Sequence, residues 1–375
     1  MSLISLSYEE YENDSRHWKL EQCDFTRINL VVGRNSTGKT RLMRVISGLC
    51  KVLSAQQTNP FDSGTYKAGI VLSGKNYLLE FSFANGQVMR ESLEVDGEKR
   101  LIRDASGRGE IYYEKQESFI EFEVPPTALA IQQRRDNLQH SFVVELSKWA
   151  EGCQTYFFGT SFGQDRLIGL SSLQALRQER PLEADDLVAS YTKAFEQYRE
   201  PFDEAIKRDM EVLGYDLTDV GADDMRALTP GLRLPEAVIG LFVTERGRDI
   251  KLPQMNMSQG MFRALALVIH INIAAFGKQH TLVLVDDIGE GLDFERSSKL
   301  IDLLIRHAND TGQQLIMTSN DRFVMNRVPL EYWSLLRRSG STVRAYTERN
   351  SPEKFAEFKY MGLSNFDFFT SETFQ

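Results

Sequence analysis

Ile28-Asn29-Leu30-Val31-Val32-Gly33-Arg34-Asn35-Ser36-Thr37-Gly38-Lys39-Thr40 is an apolar, β-favouring run that stops at glycine and passes into a loop ending in lysine and threonine. Such a run reads as a buried strand. Beyond it, Leu42, Val45, Ile46 and Leu49 fall at the i, i+3, i+4, i+7 spacing of a helix buried along one face. Strand, glycine-rich loop, helix is the setting that G-x-x-x-x-G-K-[ST] requires, and Gly33, Gly38, Lys39 and Thr40 satisfy that pattern. The glycines let the backbone wrap an anion, so that the N–H groups from Gly33 through Arg34, Asn35, Ser36, Thr37 and Gly38 face a phosphate at a helix N-terminus. Lys39 then neutralises the β- and γ-phosphates and the Thr40 hydroxyl ligates Mg2+. The implied ligand is ATP with magnesium.

Two further stretches carry chemistry. Leu282-Val283-Leu284-Val285-Asp286-Asp287 is an apolar strand ending in two carboxylates. Asp286 suits a magnesium ligand reached through water, and Asp287 stands where a general base would polarise the attacking water. Met257-Ser258-Gln259-Gly260-Met261 precedes a strongly apolar helix carrying Leu265, Leu267, Val268 and Ile271. Ser258 is a good N-cap there, and with Gln259 and Gly260 it also offers a second anion site, facing the γ-phosphate of a nucleotide held by another protomer.

Taken in order, GRNSTGKT, MSQGM, LVLVDD, GLD and MTSND resemble the Walker A, signature, Walker B, D-loop and switch segments of ABC-type ATPases. The resemblance is to the SMC-like and overcoming-lysogenization-like group, and within it to short bacterial stand-alone ATP-binding proteins of defence operons. It covers roughly residues 1 to 55 and 250 to 330. It implies an α/β fold, a P-loop NTPase of ABC-ATPase type with an antiparallel β-meander and a helical insertion. It also makes Ser258 and Gly260 signature residues that contact ATP across a homodimer, or a higher oligomer built from it, and Asp293 the D-loop aspartate. Three positions depart from the pattern: Asp287 replaces the usual glutamate, Asn320 the switch histidine, and the signature reads SQG. Hydrolysis is therefore expected to be slow, with Glu290 as an assisting carboxylate. A Q-loop glutamine that joins the metal site is expected at Gln132 or Gln133, after the apolar run Leu129-Ala130-Ile131. Neighbouring Arg134 and Arg135 read as a solvated pair.

The organisation expected is one ATPase domain over 1–375. Its parts are the first core segment (1–66), a meander (67–130), a mostly helical insertion (131–250), the second core segment (251–330) and a C-terminal hairpin and helix (331–375). In the insertion, Leu187, Tyr191, Ala194, Phe195 and Tyr198 form one apolar stripe. The aromatic tail Asn365-Phe366-Asp367-Phe368-Phe369 is expected to pack back on the core or on a partner.

Composition narrows the function classes. With 42% hydrophobic and 26% charged residues the chain reads as a globular protein. Cys23, Cys50 and Cys153 form no CxxC pair, so no zinc site or disulfide framework is expected. The five histidines make no HxH or HExxH spacing, and His270 and His280 read as core or surface residues. The N-terminus lacks the basic and apolar regions of a signal peptide, and the apolar stretch Ala264 to Phe276 is short for a bilayer. A cytoplasmic protein without a membrane partner is expected. A net charge of −9 opposes broad non-specific nucleic-acid binding but leaves a local basic groove, and hence a nucleic-acid partner, open. The leading function is a dimeric ATP-controlled clamp or sensor regulating a separate effector, a nuclease or toxin, in anti-phage defence. A DNA-clamping repair ATPase is the alternative, and a transporter subunit stands third.

Overall fold

The computed structural model describes residues 1–57, 62–158, 163–173, 182, 184–229, 236–278, 282–361 and 364–370. The chain divides into two units, one formed by Met1–Cys153, His280–Leu284 and Gln313–Gln375, the other by Gln154–Gln279 and Val285–Gly312.

In chain order the strands are β1 (Ser2–Glu10), β2 (Trp18–Asp24), β3 (Ile28–Val32), β4 (Ser63–Leu72), β5 (Lys75–Ala84), β6 (Gln87–Val95), β7 (Glu98–Arg103), β8 (Arg108–Tyr113), β9 (Ser118–Glu123), β10 (Cys153–Phe157), β11 (Ile168–Gly169), β12 (Leu217–Asp224), β13 (Val238–Glu245), β14 (Leu252–Pro253), β15 (Leu282–Asp286), β16 (Gln314–Thr318), β17 (Trp333–Ser339) and β18 (Thr342–Tyr346). In the first unit the sheet runs β15-β16-β3-β17-β18-β2-β1-β4-β5-β6-β7-β8-β9. Every residue of β3 is buried, as its unbroken apolar run foretold, and its neighbours β16 and β17 are parallel to it. The helix Lys39–Leu53 buries Leu42, Val45, Ile46 and Leu49 as its periodicity required.

The meander is no separate layer beside the core. β4 pairs antiparallel with β1, so β4 to β9 extend the same sheet. Aromatic side chains fill that join: Tyr8 and Tyr66 lie with ring centroids 4.6 Å apart, and Tyr66 stacks on Phe81 at 5.0 Å. Gln314 at the start of β16 accepts a hydrogen bond from the Leu3 amide (2.8 Å) and donates to the Leu3 and Thr26 carbonyls, binding the two ends of the chain's core together. The helix Ser141–Glu151 begins after a local turn in which Asp136 accepts the Leu138 and Gln139 amides.

The second unit packs helices Leu187–Tyr198, Glu200–Val212, Gln259–Phe276 and Phe294–Thr311 with a small sheet in which β13 pairs with β11, β12 and β14. The insertion is therefore mixed α/β rather than mostly helical. The β-rich run Val238–Glu245 alternates too weakly to announce itself, since its middle is buried on both faces. Part of the insertion falls outside the described residues, as does His280. Gln259–Phe276 is long and apolar enough by composition to cross a membrane, but 78% of it is buried inside the protein as a core helix. Its polar residues are answered from within the unit. Asn272 donates to Asp209 at 2.7 Å, His307 meets the same carboxylate at 3.1 Å, and His270, held by the Ala266 carbonyl, is pushed by burial down to about 4.

At the C-terminus β17 and β18 form a hairpin followed by the helix Pro352–Met361, and the aromatic tail folds back as the helix Asn365–Thr370. Phe368 is wholly buried, 4.8 Å from Phe355, 4.6 Å from Phe358 and 6.2 Å from Trp333 by ring centroids. Phe368→Ala should cost about 3–5 kcal/mol, the usual loss for emptying a filled aromatic site, read as a lowered midpoint in urea denaturation.

Candidate functional site

In the first unit the chain turns from β3 into the helix Lys39–Leu53 through Gly33 to Gly38. Ser36 (φ 64°) and Gly38 (φ 107°) both take left-handed backbone, which curls the loop so that successive amides share one concave side. Arg34, Asn35 and Ser36 are exposed, whereas Gly33, Thr37 and Lys39 are buried. The Thr37 hydroxyl donates to the Arg34 carbonyl (2.8 Å) and the Lys39 ammonium to the Gly33 carbonyl (2.9 Å), bracing the loop from inside. This arrangement fits a nucleotide's phosphates. The Lys39 ammonium lies folded along the loop on the Gly33 carbonyl oxygen.

The loop is held from two sides. A Cβ on Gly38 would lie 3.1 Å from the Trp18 ring, so glycine is needed for close approach as well as for its backbone. Arg41, in the helix's first turn, reaches over the Trp18 ring at 4.8 Å and ion-pairs with Glu10, which also accepts from the Tyr8 hydroxyl at 2.8 Å. On the other side Arg338 donates to the Ser36 carbonyl at 3.2 Å. Asn320 is exposed just past β16. Because Thr318 pairs with Val31 in parallel register, Asn320 stands level with Gly33, where the loop begins.

Gln132 does not belong to this end of the unit. Its side-chain amide donates to the carbonyls of Val52 (2.8 Å) and Gln57 (3.0 Å), at the far end of the helix that starts at Lys39. Fifteen residues at about 1.5 Å each put it roughly 20 Å from Thr40, so it is no magnesium ligand. Neighbouring Gln133 is exposed. Arg135 is no solvated partner of Arg134 either, since it donates to the Leu53 and Ser54 carbonyls and caps that same helix end.

The second unit holds the other residues singled out by sequence. Ser258 caps the helix Gln259–Phe276, accepting from the Met261 amide at 3.2 Å, and Ser258 and Gln259 are exposed. Gly260 is buried, and a Cβ there would come within 2.4 Å of the Gly291 carbonyl. One turn on, Arg263 donates to the Glu290 carbonyl at 2.8 Å, while desolvation holds its own proton affinity below the usual arginine range. The turn at Ser258 and the loop from Asp287 to Asp293 are thereby one assembly. Within it Asp286 is buried, Glu290 exposed, and Asp287 takes left-handed backbone at φ 56°. Asp293 caps the helix Phe294–Thr311 through the Arg296 amide (2.9 Å) and ion-pairs with Arg296.

Sequence reasoning missed Gln164. Its side-chain amide donates to the Gln254 (2.9 Å) and Met257 (2.8 Å) carbonyls, and Gln254 returns bonds to the Gln164 and Arg166 carbonyls. Gln164 thus anchors the backbone just before Ser258. It follows the largely small and polar stretch Gly159-Thr160-Ser161-Phe162-Gly163 rather than an apolar run, so the signal used to single out Gln132 could not find it.

A family model for an AAA domain, described as putative AbiEii toxin, Type IV TA system, matches residues 28–326, and the chain belongs to that family. No curated protein sequence matches the chain. Among solved structures, an SmcHead bound to the C-winged helix domain of ScpA is 12% identical, with TM-score 0.53, 92% of this chain and 97% of that one being covered. The SMC head domain from Thermotoga maritima is 12% identical with TM-score 0.46, covering 92% and 99%. The Smc head domain with an extended coiled coil bound to the C-terminal domain of ScpA, from Pyrococcus furiosus, is 12% identical with TM-score 0.49, covering 95% and 99%. The fold is thus that of a P-loop ATPase of the ABC/SMC-like kind, a nucleotide-binding class.

Gly38→Ala should lower affinity for a fluorescent ATP analogue by more than about tenfold. Left-handed backbone costs an alanine roughly 1–2 kcal/mol, and its methyl group displaces the Trp18 ring. Unchanged affinity would show that the loop does not need this geometry.

Proposed function

We propose that this member of the AAA-domain family is an ATPase that dimerises around ATP and uses that switch to regulate a separate effector protein. The observation carrying the reading is the exposed turn Ser258–Gln259 at the N-terminus of an 18-residue helix, braced by Gly260 and Arg263 against the loop that bears Asp287 and Asp293. A helix N-terminus so presented attracts an anion. In a two-protomer sandwich the anion is the γ-phosphate on the partner's phosphate loop.

The roles follow from chemistry and position. The amides of Gly33 to Thr40 and the Lys39 ammonium hold the phosphates, and Thr40 and Asp286 would hold magnesium. Bound magnesium supplies charge neutralisation of the phosphate oxygens. Asp287 accepts a proton from the attacking water, with Glu290 as the other carboxylate nearby in sequence, and Asn320 orients that water by hydrogen bonding. Asn320 does not titrate near neutrality as histidine does, so turnover is expected to be slow. Closed and open dimers then present different surfaces, and a partner that prefers one of them is switched. The family's description, with its toxin and toxin–antitoxin terms, supports a cytoplasmic role beside a toxin or nuclease in anti-phage defence.

Light scattering should show monomers without nucleotide and dimers with Mg-ATP for a slowed Asp287→Ala chain. Ser258→Arg should stay monomeric while still binding ATP, and a monomer under all conditions in the first chain would refute the sandwich. In steady-state turnover, Asp287→Ala should lower kcat at least about 100-fold, within the range of general-base losses, and an unchanged kcat would remove Asp287 from that role. Co-purification of a partner, lost on Lys39→Ala, tests the regulatory part.

A further inference from the structure

A second feature adjoins the phosphate loop and shares Arg34 and Thr37 with it. The β17–β18 hairpin and the loop enclose a cleft of ≈ 680 Å³, whose lining includes Glu21, Arg34, Arg337, Arg338, Arg344 and Tyr346. Four guanidinium groups face one carboxylate there, in a chain whose net charge is −9. Arg337 and Arg344 are directly opposite each other in the antiparallel register, an arrangement of like charges that destabilises a strand pair. Burial and then the Arg34 guanidinium push the Arg337 proton affinity down. Glu21 meets Arg344 at 2.7 Å, and Arg337 donates to the Phe369 carbonyl at 3.3 Å. The cleft as a whole still carries four positive groups to one negative one, the complement of an anion.

We propose that this cleft binds the phosphodiester backbone of an unpaired nucleic-acid strand. Arginines on two adjacent strands and on the loop spread positive charge along a path rather than around a point, which suits a chain of phosphates. Tyr346 lies on the same face as Arg344, two residues along β18 and so about 7 Å away, roughly one nucleotide's span. An aromatic side chain beside a basic track takes an unstacked base, which a duplex does not offer. The Arg338 bond to the Ser36 carbonyl attaches the cleft to the phosphate loop, so strand binding and nucleotide binding influence one another reciprocally. This inference stands apart from the dimer reading and does not need it.

The test is fluorescence anisotropy of the full chain with a labelled 20-nucleotide single strand over a salt series. With three or four phosphates engaged, log affinity against log salt should have a slope of about −2 to −3. Arg344→Glu should weaken binding by about tenfold or more and flatten that slope by about 0.7. Arg108→Glu, with the same charge change on exposed β8, should leave both unchanged. Tyr346→Leu should weaken binding by about fivefold or more at unaltered slope, which keeps the proposal testable if Arg344→Glu fails to fold. Equal binding by wild type, Arg344→Glu and Tyr346→Leu overturns the site. Equal losses in Arg344→Glu and Arg108→Glu reduce it to net charge and overturn it too. Tighter binding of duplex overturns the assignment to an unpaired strand, and equally tight, Arg344-dependent binding of inorganic polyphosphate overturns the assignment to nucleic acid.

Discussion

The phosphate loop must turn the chain from a strand buried on both faces into a helix within six residues while leaving its amides uncovered. That requirement conflicts with the rule that buried backbone donors find partners. The conflict is resolved by bracing the loop through its carbonyls instead: Gly33 accepts from Lys39, Arg34 from Thr37, and Ser36 from Arg338. The Thr37 amide is itself used inside the loop, donating to the Arg34 carbonyl at 3.2 Å. The strands around β3 make this arrangement durable, since β16 on one side and β17 on the other fix where the loop starts and where Arg338 begins.

A similar economy holds in the second unit. A serine cap satisfies one amide of the helix Gln259–Phe276 and leaves the remaining N-terminal donors open. What makes this turn more than a capped helix end is its rigid attachment. Gly260 admits the Gly291 carbonyl at a distance no side chain tolerates, Arg263 fastens Glu290, and Gln164 fastens Met257. Movement of the Asp287–Asp293 loop is therefore transmitted to the Ser258 turn through backbone contacts.

The framework was legible wherever local rules and tertiary demand agree. β3, the helix from Lys39, β16, the C-terminal hairpin and the returning aromatic tail all show a single periodicity that burial then uses. Legibility failed where one sequence signal serves two structures. Gln132 follows an apolar run and Gln164 does not, and only hydrogen bonding shows the first to be a helix-end clamp and the second a brace on the Ser258 turn. The strand Val238–Glu245 lacks alternation because its centre is buried on both faces. Arg135 looked solvated because a capping arginine and an idle one have the same sequence neighbourhood.

Positions that break local rules are the most informative about function. Asp287 holds left-handed backbone that a non-glycine residue takes only at a cost of about 1–3 kcal/mol, although glycine would have been free there. A carboxylate is thus retained where the backbone opposes it, which favours a chemical role for Asp287 over a solvated strand end. The facing pair Arg337 and Arg344 breaks the cross-strand rule in the same sense. A neutral side chain at either position would have eased the hairpin, yet two guanidinium groups stand opposed beside the glycine-rich loop. Each violation lies within a single unit, Asp287 in the second and the arginine pair in the first.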